Sequence, residues 1–129
     1  MLLLNVSHSI RTMILNGNRA ETVHELLKST SESVINDKRR KLVLHGVYGY
    51  FYVFGGLYLN DGIWTPPKDY LPWWRPWYTA AVAAQGEVTA TQPYVDARSQ
   101  SLVMSYSRRI FDGGVLFTHD LSRADADRF

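Results

Sequence analysis

No cysteine occurs in this chain of 129 residues. That excludes a disulfide framework, a thiolate nucleophile and any zinc or iron–sulfur site held by thiolates, and it leaves cytoplasm and periplasm equally open. Long apolar runs are also missing: Met1 to Leu4 falls far short of the ~20 residues a membrane span needs, and no signal-peptide pattern follows it. The expectation is a soluble domain, compatible with flanking spans in a parent protein. Charge of one sign is scarce too, with 14 basic and 12 acidic residues giving +2, far too small an excess to suggest electrostatic capture of nucleic acid as the main activity. The sequence offers no phosphate-cradling glycine loop, no Gly-x-Ser-x-Gly elbow, no His-Glu-x-x-His and no calcium loop. Its histidines, at 8, 24, 45 and 119, show no metal-ligand spacing. No metal, cofactor or enzymatic role is assigned.

What is present fits one globular domain, with 46% hydrophobic and 20% charged residues in a length that rarely subdivides. Aromatics are abundant, at 4 Trp, 8 Tyr and 5 Phe. From Val6 to about Lys41, Ile10, Ile14, Val23, Leu26, Leu27, Val34 and Ile35 recur at helical spacing. Asn16-Gly17-Asn18 interrupts the pattern, leaving either two helices or one with a weak joint. Asp37-Lys38-Arg39-Arg40-Lys41 then sets cations at the helix end, where the dipole is negative.

After Lys41 the texture turns to β, with two strands expected between Leu42 and Leu59 and a turn at Asn60-Asp61-Gly62. In an extended strand Tyr48, Tyr50, Tyr52 and Phe54 share one face. Pro66, Pro67 and Pro72 make Thr65 to Trp74 an ordered loop. Arg75 to Gly86 has proline at its start, an alanine-rich body and glycine at its end, the signature of a short helix. An extended piece follows at Glu87 to Thr91, then a turn at Gln92-Pro93 and a segment in which Tyr94 and Asp96 point the same way. Strands at Ser101 to Phe111 and Val115 to Asp120 flank Asp112-Gly113-Gly114, a hairpin turn. The tail, Leu121 to Phe129, reads as polar and helical or frayed. The sum is an α+β sandwich of two layers.

Around the short helix gather Arg75, Trp77, Tyr78, Tyr94, Asp96 and, at the end of the last strand, Asp120. Arginine fits a carboxylate with two parallel hydrogen bonds, aspartates accept from an ammonium group, and aromatic walls exclude water. The set is the complement of a zwitterion. The same residues also allow an internal Arg–Asp pair with Trp and Tyr in the core. Stacking platforms for a sugar at Trp64, Trp73 and Trp74, or an uncharacterised enzyme, are further readings.

The run Asp69-Tyr70-Leu71-Pro72-Trp73-Trp74-Arg75-Pro76-Trp77-Tyr78-Thr79-Ala80-Ala81, then Thr91-Gln92-Pro93-Tyr94-Val95-Asp96-Ala97, Leu102 to Ser107 and Gly114 to Leu121, resembles the Cache sensor domain and its amino-acid-sensing double-module subset. The resemblance covers Tyr48 to Ser122. It implies a long N-terminal helix packed on a five-stranded antiparallel PAS-like sheet with a short internal helix. It also implies a helical segment over 1–41, a sensor module over 42–122 and a tail over 123–129 leading to the next element. By the same resemblance Arg75 and Trp77 handle a ligand carboxylate, with Tyr78 following, while Tyr94, Asp96 and Asp120 hold the amino group. An upstream tyrosine completes the pattern and is sought among Tyr48, Tyr50 and Tyr52, with Tyr52 taken as a candidate ligand contact. Trp73 departs from the family's usual acidic residue, and Ser99-Gln100-Ser101 from its usual Thr-Gly. The implied function is an extracytoplasmic, periplasmic or extracellular ligand-sensing domain of a membrane-anchored bacterial receptor: a chemoreceptor, histidine kinase or diguanylate cyclase. Its partner is a small amino acid or amine-bearing ligand, with the N-terminal helix a candidate homodimer contact. The alternative is a ligand-free dimerisation module with a structural Arg–Asp core.

Overall fold

The computed structural model describes residues 2–36, 46–111 and 114–122, with Phe111 and the final strand described by backbone alone. The chain opens with α1 (Leu2–Leu15) and α2 (Ala20–Ile35). The expected long helix is therefore two helices, and the break lies at the Asn-Gly-Asn joint. Gly17 adopts φ 81, a left-handed turn that ends helices cheaply only at glycine, and the Asn18 side chain donates to the Met13 carbonyl at 2.9 Å. The helix begins at Leu2, ahead of Val6, because Leu3, Val6 and Ile10 continue one buried stripe. The cationic run at 37–41 lies outside the described residues.

Among the described residues six strands follow: β1 (Tyr48–Phe51), β2 (Leu57–Leu59), β3 (Thr89–Ala90), β4 (Tyr94–Val95), β5 (Leu102–Phe111) and β6 (Gly114–Ser122). They form one antiparallel sheet in the order β2-β1-β6-β5-β3, with β4 also on β5. The implied five-stranded sheet is present as five ranks whose outer edge is split into two short pieces. Between them Thr91, Gln92 and Pro93 face only Ser105 and Met104, a bulge at a proline that has no N–H to pair. Thr91 repairs the gap: its N–H donates to the Ser105 carbonyl at 2.8 Å and its hydroxyl accepts from the Ser105 N–H at 2.9 Å. Leu121 and Ser122, read from sequence as tail, extend β6 by pairing with Met104 and Val103. Residues 112–113 and 123–129 lie outside the described residues.

Alternation along β1 sends Phe51 to one face of the sheet and Tyr48 and Tyr50 to the other. On the first face Leu3, Val6, Ile10, Val23 and Leu27 of the two helices pack against Val47, Phe51 and Ile110, each fully buried aliphatic side chain contributing ~1.5–3 kcal/mol. Ser31 docks α2 onto the head of β1, its hydroxyl accepting from the Val47 N–H at 2.9 Å. The second face carries Tyr48, Trp77 and Ala81 with Tyr50, Tyr58, Tyr78 and Tyr94 around them, so the third helix, α3 (Pro76–Ala83), lies there. The expected two layers are thus three, because tyrosines on the far face also need cover.

Arg108 of β5 joins elements that are distant in sequence. Its Nε donates to the Gly86 carbonyl just beyond α3 at 2.9 Å, and one Nη donates to the hydroxyl of Ser7 in α1 at 2.7 Å. Ser7 is fully buried. Arg108→Met keeps the aliphatic stem and removes both bonds, so we expect a loss of about 1–3 kcal/mol of stability. Urea unfolding at neutral pH reads this directly, and an unchanged midpoint would reduce Arg108 to a packing role.

Candidate functional site

Prolines place the site. Pro72 opens a single 3-10 turn, Pro72–Trp74, and Pro76 opens α3 at its first position. A residue before proline is driven out of the helical region, and Arg75 accordingly has φ −80 and ψ 149. Its side chain leaves the helix start and reaches β4, where Nη2 donates to the Val95 carbonyl at 2.6 Å and the guanidinium carbon lies 5.4 Å from the Tyr94 ring centroid. Trp77, the second residue of the helix, is buried to 1% exposure, and Ala81 one turn further lets the helix approach the sheet.

Behind Arg75 the rings meet edge to face, the arrangement that aromatic quadrupoles favour. Trp77 stands 5.3 Å from Tyr48 at 85°, Tyr58 5.3 Å from Tyr70 at 67°, and Tyr50 5.8 Å from Tyr78 at 74°. Trp64 is edge-on to both Tyr58 and Tyr70, and Trp74 is largely exposed, so the tryptophans considered as a sugar platform have separate surroundings. Tyr70 sits at the centre, its hydroxyl accepting from Trp77 Nε1 at 3.3 Å. Burial pushes its phenol up to about 12, against the pull of Trp77, Arg75 and Tyr58, with Asp96 adding to the rise.

Tyr94 and Ser105 share a hydroxyl–hydroxyl bond of 2.6 Å. Asp96 is 7% exposed and its Oδ2 accepts from the Ser99 N–H at 2.8 Å, within a turn closed by Gln100 N–H donating to the Asp96 carbonyl. Among the described residues no cation lies within ion-pair distance of Asp96, and Arg75 makes no ion pair either. The internal Arg75–Asp96 pair allowed by the sequence is not formed. Beside these groups opens a cavity of 410 Å³, with Tyr70, Leu71, Trp74, Arg75, Asp69 and Gln100 in its wall.

Arg75, Trp77, Tyr78, Tyr94 and Asp96 therefore come from the start of α3 and from the edge strand with the turn after it. Asp120 pairs its backbone with Ser105, and its side chain lies outside the described residues. Tyr52 does not join them. The strand ends at Phe51, Tyr52–Phe54 forms a 3-10 turn capped by Gly55 at φ 82, and Tyr52 is 72% exposed. Tyr50 holds the inward place instead, over Tyr78 and Trp73. Sequence reasoning quoted Tyr70 within the resembling run but gave it no role; its signal was its place five residues before Arg75 in a proline-fixed segment.

No family model matches the chain. It is 29% identical over 107 residues to the methyl-accepting chemotaxis protein PctB of Pseudomonas aeruginosa, covering 78% of this chain and 17% of that protein. It is 33% identical over 93 residues to the VWFA and cache domain-containing protein CG16868 of Drosophila melanogaster, covering 71% of this chain and 6% of that one. Among solved structures, the ligand-binding domain of the amino acid chemoreceptor PctB in complex with L-Arg superposes with a TM-score of 0.71 at 25% identity, covering 97% of this chain and 48% of that chain. The chain thus spans about half the solved domain and a small part of each curated relative. Its α+β architecture is that of the Cache, PAS-like ligand-binding domains, and it is similar to the sensing domains of amino-acid chemoreceptors.

The raised phenol of Tyr70 ties stability to alkaline pH. Below pH 10, the ordinary value, it is protonated in folded and unfolded chains alike, and its contribution is intact. From pH 10 to about 12 the unfolded chain sheds the proton first, so the contribution is lost, up to about 2–3 kcal/mol. Chemical denaturation at pH 9 and pH 11.5 should show wild type losing more stability than Tyr70→Phe over this interval. Equal losses would place the phenol in contact with solvent.

Proposed function

We propose that this chain is the ligand-sensing module of a membrane-anchored receptor, binding the carboxylate and amino groups of a small amino acid or related amine-carboxylate at Arg75 and Asp96. The observation that carries this reading is a buried carboxylate, Asp96, with no cation beside it among the described residues. A desolvated carboxylate without a counter-charge is costly, and a ligand ammonium group supplies that charge. Arg75 gives one N–H to Val95, leaving donors of its planar fork for a ligand carboxylate. Tyr94 stands against the Arg75 guanidinium, and Trp77 and Tyr78 meet edge to face in the same aromatic cluster. Asp120 joins the amine-holding acids by the family resemblance. The similarity to amino-acid chemoreceptor domains supports the same reading.

In this reading the site binds and releases its ligand without chemical change, as no nucleophile paired with a base has been placed in it. The module stands on the periplasmic or extracellular side of the membrane, with residues 1–41 leading in, 42–122 sensing and 123–129 leading on. The N-terminal helices are the candidate contact of a homodimer. The ligand-free interaction module is less favoured, since among the described residues Arg75 and Asp96 form no ion pair.

Calorimetry with an amino-acid panel tests the proposal. Arg75→Lys, a point charge in place of a fork, should bind about tenfold or more weakly while staying folded. Asp96→Asn should lose about tenfold to a hundredfold, the worth of a charge-assisted hydrogen bond, yet leave the ligand-free domain as stable as before or more so. Destabilisation of ligand-free Asp96→Asn, with no melting response of wild type to any amino acid, would sink the sensing role.

A further inference from the structure

The 410 Å³ cavity shares Arg75 and Tyr70 with the site and continues past them to the surface. Its size falls within the ~300–1,000 Å³ range of small-molecule pockets. If a ligand's carboxylate occupies Arg75, the charge left on the cavity wall is that of Asp69, the one acidic side chain there among the described residues. Trp74, 75% exposed, offers a large ring on the same wall. Gln100 adds an amide, its Nε2 already donating to the Ala97 carbonyl at 2.7 Å, which leaves its side-chain oxygen free to accept. A carboxylate, an aromatic ring and an amide oxygen are all groups that attract a cation. The Asp69 carboxylate repels an anion. Because Asp69 and Trp74 both reach solvent, a charged side-chain end keeps part of its hydration there. A branched apolar side chain would gain little in so open a space.

We infer that the ligand's side chain extends into this cavity, and that Asp69 and Trp74 select an amino acid whose long side chain ends in an ammonium or guanidinium group. The inference rests on the site proposed at Arg75 and Asp96 and adds the class of side chain.

Four ligands, L-arginine, L-lysine, L-alanine and L-glutamate, are titrated into the domain by calorimetry. Arginine and lysine should bind roughly tenfold more tightly than alanine, the sum of an exposed ion pair and an exposed cation–π contact, with glutamate weakest. Asp69→Asn, an exposed position where folding is not at stake, should weaken arginine about threefold and leave alanine unchanged. Trp74→Ala should act similarly. The preference should also shrink in 1 M salt, as exposed ion pairs do. Alanine binding as tightly as arginine, or an arginine affinity indifferent to Asp69→Asn and Trp74→Ala, overturns the side-chain assignment and leaves the shared site standing. Failure of all four to bind overturns both.

Discussion

Proline at position 76 denies Arg75 a helical backbone, and most of the site follows from that refusal. Extended at the helix start, Arg75 can neither run along α3 nor fold back on it, and the reachable acceptor is the Val95 carbonyl at the sheet edge. The bond fixes the guanidinium over Tyr94. It also joins the helix start to the strand that delivers Asp96. A leucine or alanine at 76 would let Arg75 enter the helix and take its charge elsewhere.

The second constraint is the aromatic layer. Tyrosines and tryptophans with edge-to-face contacts form a wall in which Tyr70 and Trp77 bond each other and Tyr94 bonds Ser105. Gly56 belongs to this wall in a negative sense, since a Cβ there would stand 2.8 Å from the Tyr50 hydroxyl. The hairpin after β1 thus holds Tyr50 inward while releasing Tyr52 to solvent. The wall is dry enough to hold the Tyr70 phenol far above its ordinary value.

Much of this was legible in the residues because the signals were local or periodic. Proline, then alanines, then glycine marked α3, and alternation put Tyr48 and Tyr50 on one face. The resemblance paired Arg75 with Tyr94 and Asp96, 19 and 21 positions further along the sequence. Tyr52 failed because alternation holds only while a strand continues, and glycines at 55 and 56 ended it early. Tyr70 was missed because a proline-rich loop has no period from which to read direction. The unformed Arg75–Asp96 pair could not be read either: composition supplies both charges, but only the backbone at Pro76 and the turn at Asp96 decide whether they meet.

Arg108 gives these parts a mechanical relation. The Gly86 carbonyl, Arg108, the Ser7 hydroxyl and the Leu4 carbonyl form a continuous run of hydrogen bonds at 2.9, 2.7 and 2.9 Å, from the far end of α3 into the backbone of α1. A guanidinium is flat and stiff, and N–H···O hydrogen bonds keep to about 2.7–3.2 Å and weaken steeply when bent. A slide of half an ångström at Gly86 therefore has two outcomes: the plate swings and pulls Ser7 with it, or a link snaps and leaves α1 where it was. The helix that holds Arg75 at one end is, at its other end, geared to the first helix of the chain.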